Sequence, residues 1–138
     1  QALQGRFESC DVCIMAAAVA DFRPAAAARG KIHREGGDTI AIELVPNPDI
    51  AQTLGNVKKH QILVGFALEE TNPVEGARAK MAKKNCDLMV ANAVGSSLGL
   101  EQTRVSIVYK ERDPEHLPTM GKDSAARRIL LRVADLMG

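Results

Sequence analysis

The sequence predicts an α/β protein in which a mainly parallel sheet is covered by helices on both faces. Three observations carry this expectation. Short, nearly continuous apolar runs stand at 10–19, 62–67 and 87–91, as in strands buried on both sides. Helix-opening signals, Asn47-Pro48-Asp49 and Asn72-Pro73-Val74-Glu75, lie between them; proline suits a first helical turn and a preceding Asn can cap it. The chain closes on a segment whose Ile129, Leu130, Val133 and Leu136 share one helical face.

In order, Gln1 to Ser9 reads as a helix end or a loop, and Cys10 to Val19 as the first strand. Pro24 and Gly30 bracket a short connection. The turn Glu35-Gly36-Gly37-Asp38 separates Lys31 to Arg34 from Thr39 to Val45, where apolar Ile40, Ile42 and Leu44 alternate with their neighbours. That alternation predicts a half-buried strand and, across the turn, a hairpin. Asn47 then caps a helix over 50–59, with Asp49 at the positive end of its dipole. Residues 62–67 form the second strand, 73–85 a helix, 87–91 the third strand and 104–110 a fourth. Asp123 caps the last helix.

At 138 residues, with 46% apolar side chains, the chain suits one domain with one core. Eighteen Lys and Arg against 17 Asp and Glu leave no basic face from which nucleic-acid binding could be argued. With no Trp, one Tyr and three Phe there is no aromatic platform for single strands either. Three cysteines are too few and odd in number for a disulfide framework, and no apolar run is long enough to span a membrane; a cytoplasmic protein is expected. Cys10 and Cys13 make a C-x2-C, but a second ligand pair is lacking.

In a parallel sheet, ligands sit beyond the carboxyl ends of the strands, so 20–24, 67–71 and 92–97 are the segments to read for chemistry. Gly121-Lys122-Asp123-Ser124 imitates the tail of a phosphate-binding loop, but His116 occupies the position of its first Gly, and a helix start explains it. The stronger constellation is spread along the chain. Small residues Ala16 to Ala18 let a ligand approach the backbone, and Asp21 could hold a hydrated cation. Free N–H groups near Asn47, Pro48, Asp49 and Ile50 could bind an anion. Phe66 leaves a buried strand beside Glu69 and Glu70, and Lys80 and Lys84, four apart, could meet a polyphosphate. Each also has a purely structural reading as packing, a cap or a solvated charge.

Together the ordered segments AAAVADFRP, KI, ELVPNPDI, LVGFALEET and ARAKMAKKNCDLMVAN, with the terminal helix, resemble the phosphopantothenoylcysteine synthetase part of the bacterial bifunctional decarboxylase/synthetase of coenzyme A biosynthesis. The resemblance implies a Rossmann-like three-layer fold with a β-hairpin dimerisation arm, in a cytoplasmic homodimer. It implies a phosphopantothenate–cysteine ligase that joins 4′-phosphopantothenate to L-cysteine through an acyl-cytidylate, using CTP and Mg²⁺ and releasing pyrophosphate and CMP. FMN is expected only if a decarboxylase domain precedes the segment. By the same resemblance, Lys31 and Asp21 are catalytic, and Ala17, Ala18 and Asp21 line the acyl intermediate. Asp21, Phe22, Lys31, Asn47, Pro48, Asp49, Ile50, Phe66, Lys80, Lys84 and Asn92 contact the nucleotide, with Asp21 as the metal ligand. Residues 1–138 would then be the C-terminal major part of the ligase domain, without the family's N-terminal phosphate-loop segment. The family's loop before the fourth strand is represented by Leu98 to Thr103, a departure from its usual aromatic, Asp/Asn-rich sequence. The expected partners are the three substrates and a second copy of the chain, with no nucleic acid or membrane. A non-catalytic nucleotide-binding or regulatory domain of the same fold is the competing expectation.

Overall fold

A computed structural model describes residues 3–33, 39–93 and 101–138. In chain order the elements are α1 (Gln4–Phe7), β1 (Val12–Met15), β2 (Phe22–Pro24), β3 (Leu44–Pro46), α2 (Ile50–Val57), β4 (Ile62–Glu69), α3 (Pro73–Lys84), β5 (Leu88–Ala93), β6 (Gln102–Thr103), β7 (Val105–Tyr109), β8 (Glu115–His116), β9 (Met120–Gly121) and α4 (Lys122–Met137). They fall into two units: Gln1–Ala16 with Ile50–Gly138, and Ala17–Asp49.

The larger unit holds a five-stranded sheet in the order β1-β4-β5-β7-β8. β1, β4 and β5 are parallel, with Cys13 opposite Leu63 and Gly65 opposite Met89, whereas β7 and β8 run antiparallel. The mainly parallel α/β fold is thus as expected, with the fourth strand reversed. Strand alternation divides the core in two. Leu63 and Ala67 of β4 and Met89 of β5 pack with Leu54 of α2 and Ala77 and Met81 of α3. Val64, Leu88, Val90 and Ile107 pack on the other face with Ile129 and Val133 of α4. Helix, sheet, helix makes three layers.

Two glycines are required by close approach. A Cβ on Gly55 would lie 1.9 Å from the Lys84 carbonyl oxygen, where α2 meets the end of α3, and one on Gly65 would lie 2.7 Å from Met89 Sδ. Asn85 ends α3 in the left-handed region, φ 49°, a conformation Asn tolerates, and its Nδ2 donates to Gly55 O at 2.9 Å.

Several sequence expectations are corrected. β1 is four residues long rather than ten, and the chain from Ala17 onward belongs to the second unit. In that unit, among the described residues, Leu44 and Val45 of the expected strand form a ladder, with Pro46, against Phe22–Pro24; Arg34 and the predicted turn at 35–38 lie outside the described residues. Among the described residues no strand is assigned over Ile40 and Ile42, and both are exposed. α4 starts at Lys122, so Gly121 holds the N-cap position and Asp123 lies in the first turn. Ile129 and Val133 are buried as predicted, but Leu130 is 54% exposed.

Candidate functional site

The carboxyl ends of β1, β4 and β5 open, on the α4 side of the sheet, into a cleft of about 560 Å³, a volume typical of small-molecule sites. Ile14, Phe66, Val105 and Leu130 supply its apolar walls, and Asn92, Thr103 and Lys122 its polar groups. The strands explain these positions. Val64 is buried, and Phe66, two residues on along the same face, passes beyond the core and is 40% exposed. Asn92 follows the buried Val90 in the same way and sits opposite Val105. Thr103 pairs with Met120 across β6 and β9, just ahead of α4. It is 5% exposed, and its Oγ1 is buried without a hydrogen-bond partner among the described residues. α4 begins at the same place, with Gly121 as its cap and no side-chain capping bond; the Lys122 N–H donates to Glu101 O at 3.2 Å, and the next N–H groups of the first turn have no partner within the helix.

On the opposite face, Glu69 at the end of β4 lies over Gly76, where a Cβ would come within 2.5 Å of its Cδ. Lys80 Nζ is 2.8 Å from Glu69 Oε1. Lys80 and Lys84 therefore belong to the α3 layer, away from the cleft, and Lys80 already faces a carboxylate.

In the second unit, two motifs far apart in sequence meet. Asn47 Nδ2 donates to Ala20 O at 2.7 Å and its N–H donates to Asp21 O at 2.7 Å. Arg23 Nη1 donates to Pro46 O and to Asn47 Oδ1 at 2.8 and 3.1 Å. Asn47 thus spends its amide on this link rather than on capping α2, which begins at Ile50. Ala17, Ala18, Asp21, Phe22, Lys31 and Pro48 are exposed in this unit, and Asp49 is half-buried. Ile50 packs at the start of α2 against the α3-side core.

Of the sequence candidates, the structure brings Phe66 and Asn92 into one cleft, and ties Asn47 to the backbone of Ala20 and Asp21. Sequence reasoning missed Thr103 and took Lys122 only as part of a helix start. The available signal was alternation: Thr103 and Val105 are buried around exposed Arg104, which puts the threonine on the inward face. No group of three or more His, Cys, Asp or Glu side chains gathers to hold a metal ion among the described residues. Nor is there an activated thiol among the buried cysteines. Burial pushes the Cys86 thiol up to about 11, against the pull of Lys58 and Lys84, and burial raises Cys13 as well. Among the described residues no helix is long and apolar enough to cross a membrane.

The family model that matches this chain is that of the DNA/pantothenate metabolism flavoprotein C-terminal domain, over residues 1–137. A relative named cysteine/cysteine sulfinic acid decarboxylase, from an unknown prokaryotic organism, is 38% identical over 95% of this chain and 37% of its own length. The coenzyme A biosynthesis bifunctional protein CoaBC of Bacillus subtilis is 38% identical over 99% of this chain and 34% of its own length. The chain spans about a third of these relatives. Among solved structures, the C-terminal domain of a coenzyme A biosynthesis bifunctional protein CoaBC superposes with a TM-score of 0.78 at 32% identity, covering 99% of this chain and 59% of that one. A DNA/pantothenate metabolism flavoprotein from Streptococcus pneumoniae, 21% identical with a TM-score of 0.77 over 99% of this chain and 68% of that one, shares the fold.

These matches correct the expected ligase family and the acyl-cytidylate function drawn from it. The matching family is described by its flavoprotein, one relative is named for decarboxylation, and none of these names is that of a ligase. The reason lies in what the motifs encode: a Phe at a strand tip lines a cleft and a lysine on a helix faces a carboxylate, and neither specifies the bond being made or broken. The relatives are named as enzymes, several of them of coenzyme A biosynthesis.

Proposed function

Because the chain belongs to the DNA/pantothenate metabolism flavoprotein C-terminal domain family, we propose that it supplies the mononucleotide-binding domain of a flavoprotein enzyme of coenzyme A biosynthesis. The observation that carries this reading is the cleft at the strand ends, where a half-exposed Phe66 faces apolar walls and polar groups gather at one end. A planar heterocycle fits against Phe66, and Asn92 and Thr103 can meet its polar edge. The start of α4 with Lys122 suits a phosphate oxygen. Flavin mononucleotide fits this set of groups, and when bound it supplies two-electron redox chemistry. For the parent protein we read decarboxylation of a cysteine-derived acid, on the name of the first relative. The chain's own part would be to bind and orient: Phe66 would stack on the ring, and Ile14, Val105 and Leu130 would offer it apolar contact.

Calorimetric titration of the intact protein with FMN, CTP and ATP tests the reading. Saturable binding of one of them is expected, weakened about tenfold or more in Phe66→Ala, in line with the 1–3 kcal/mol of a base stacked on an aromatic ring. FMN binding places the flavin in this cleft, whereas a nucleoside phosphate without FMN assigns the flavin to another part of the parent protein. Absence of binding by all three overturns the reading.

We also propose that the smaller unit is covered by a second copy of the chain. Ile32, Ile40 and Ile42 are 60, 59 and 62% exposed within its 33 residues, more apolar surface than so short a segment ordinarily leaves to water.

A further inference from the structure

We propose that Thr103 is a specificity-determining residue of the cleft, its hydroxyl donating a hydrogen bond to a ring carbonyl or ring nitrogen of the bound heterocycle; this deepens, and rests on, the mononucleotide reading above. Threonine hydroxyls that lose water on folding ordinarily find a protein partner, because an unmet one costs stability. Thr103 does not. Its residue is 95% buried by the exposure quoted above, its Oγ1 has no partner among the described residues, and it lines the cleft beside Val105. Backbone pairing with Met120 sets which face of the strand Thr103 occupies, and its burial beside exposed Arg104 marks that face as the inward one.

The surroundings define what the hydroxyl can meet. Ile14, Phe66, Val105 and Leu130 offer no hydrogen bond, so a ligand body there must be apolar or planar. A group reaching Thr103 lies at the polar end of such a body, near the start of α4, which has no side-chain capping bond. The positive end of that helix dipole favours an electron-rich atom such as a ring carbonyl oxygen. A donor held in a dry site of this kind discriminates by its absence of alternatives: a ligand without the matching acceptor leaves the hydroxyl unmet in the complex as well.

Thr103→Val separates this role from a structural one, because valine keeps the shape and the strand propensity and removes only the hydroxyl. The unliganded variant is expected to melt at or above the temperature of the wild type, since an unmet polar group is gone. Its affinity for whichever of FMN, CTP or ATP binds the wild type should fall at least tenfold, and Thr103→Ser should restore most of it. Unchanged affinity in Thr103→Val, with the wild type binding, overturns the role of Thr103 and leaves the mononucleotide reading intact. A lower melting temperature together with unchanged affinity also overturns it, by showing a structural hydroxyl. A wild type that binds none of the three overturns both readings.

Discussion

Asp87 illustrates how one side chain can fix the start of a strand. Burial pushes its carboxyl pKa up, but hydrogen bonds from Lys58, from the Leu63 N–H and from Lys110 outweigh that and hold it below the ordinary 3.8. The contacts are short: Lys58 Nζ at 2.6 Å from Oδ2, the Leu63 N–H at 2.8 Å and Lys110 Nζ at 2.9 Å from Oδ1. A carboxylate with a depressed folded-state pKa stabilises the fold above its unfolded value and loses that contribution as pH falls through the folded one. Asp87→Asn is therefore expected to lower stability at pH 7 by about 2–3 kcal/mol, because Lys58, nearly buried, keeps a charge without its partner. Urea denaturation should show the gap between the two proteins narrowing once the pH drops below 3.8; a gap constant from pH 7 to pH 3 would exclude the ion pair as its origin. The sequence shows an Asp at a strand start and two lysines remote from it. That all three meet follows only from the pairing of β5 with β4 on one side and with β7 on the other.

Between elements, the closest contact is that of α2 with the end of α3. Gly55→Ala drives a methyl group into the Lys84 carbonyl, and backbone on both sides leaves little room to relax. The expected loss is on the order of 3 kcal/mol, read as a lower urea midpoint with an unchanged slope. Gly5→Ala is the control, with nothing within 4 Å of its Cβ position, and should be neutral. A neutral Gly55→Ala would mean that the two helices lie further apart. The helices themselves were legible: Pro73 opens α3, and Ile129 and Val133 of the predicted apolar face bury α4, whereas Leu130 and Leu136 of that face stay exposed. Their exact starts were less so, because a capping residue can be claimed by a competing bond. Asn47 is claimed by Ala20, and Asp123 is displaced from the cap by Gly121.

For the whole molecule, the proposed second copy has a direct test. Light scattering coupled to size exclusion should give twice the monomer mass for the wild type, and the monomer mass for Ile40→Glu with Ile42→Glu, since two carboxylates cannot be buried there unpaired. A monomeric wild type removes the proposal. By itself the sequence determined the α/β class and the order of the main strands and helices, because hydrophobic period and cap chemistry are local properties written into neighbouring residues; the family resemblance pointed to Phe66 and Asn92, and both line the cleft. Tertiary structure alone decided that β7 runs antiparallel, that Ala17–Asp49 forms a unit of its own, that Lys80 answers Glu69 and that Thr103 closes the cleft. Those are facts about which distant segments lie side by side. Pairing between them is set by the burial of whole faces of a sheet, which no short window of sequence contains.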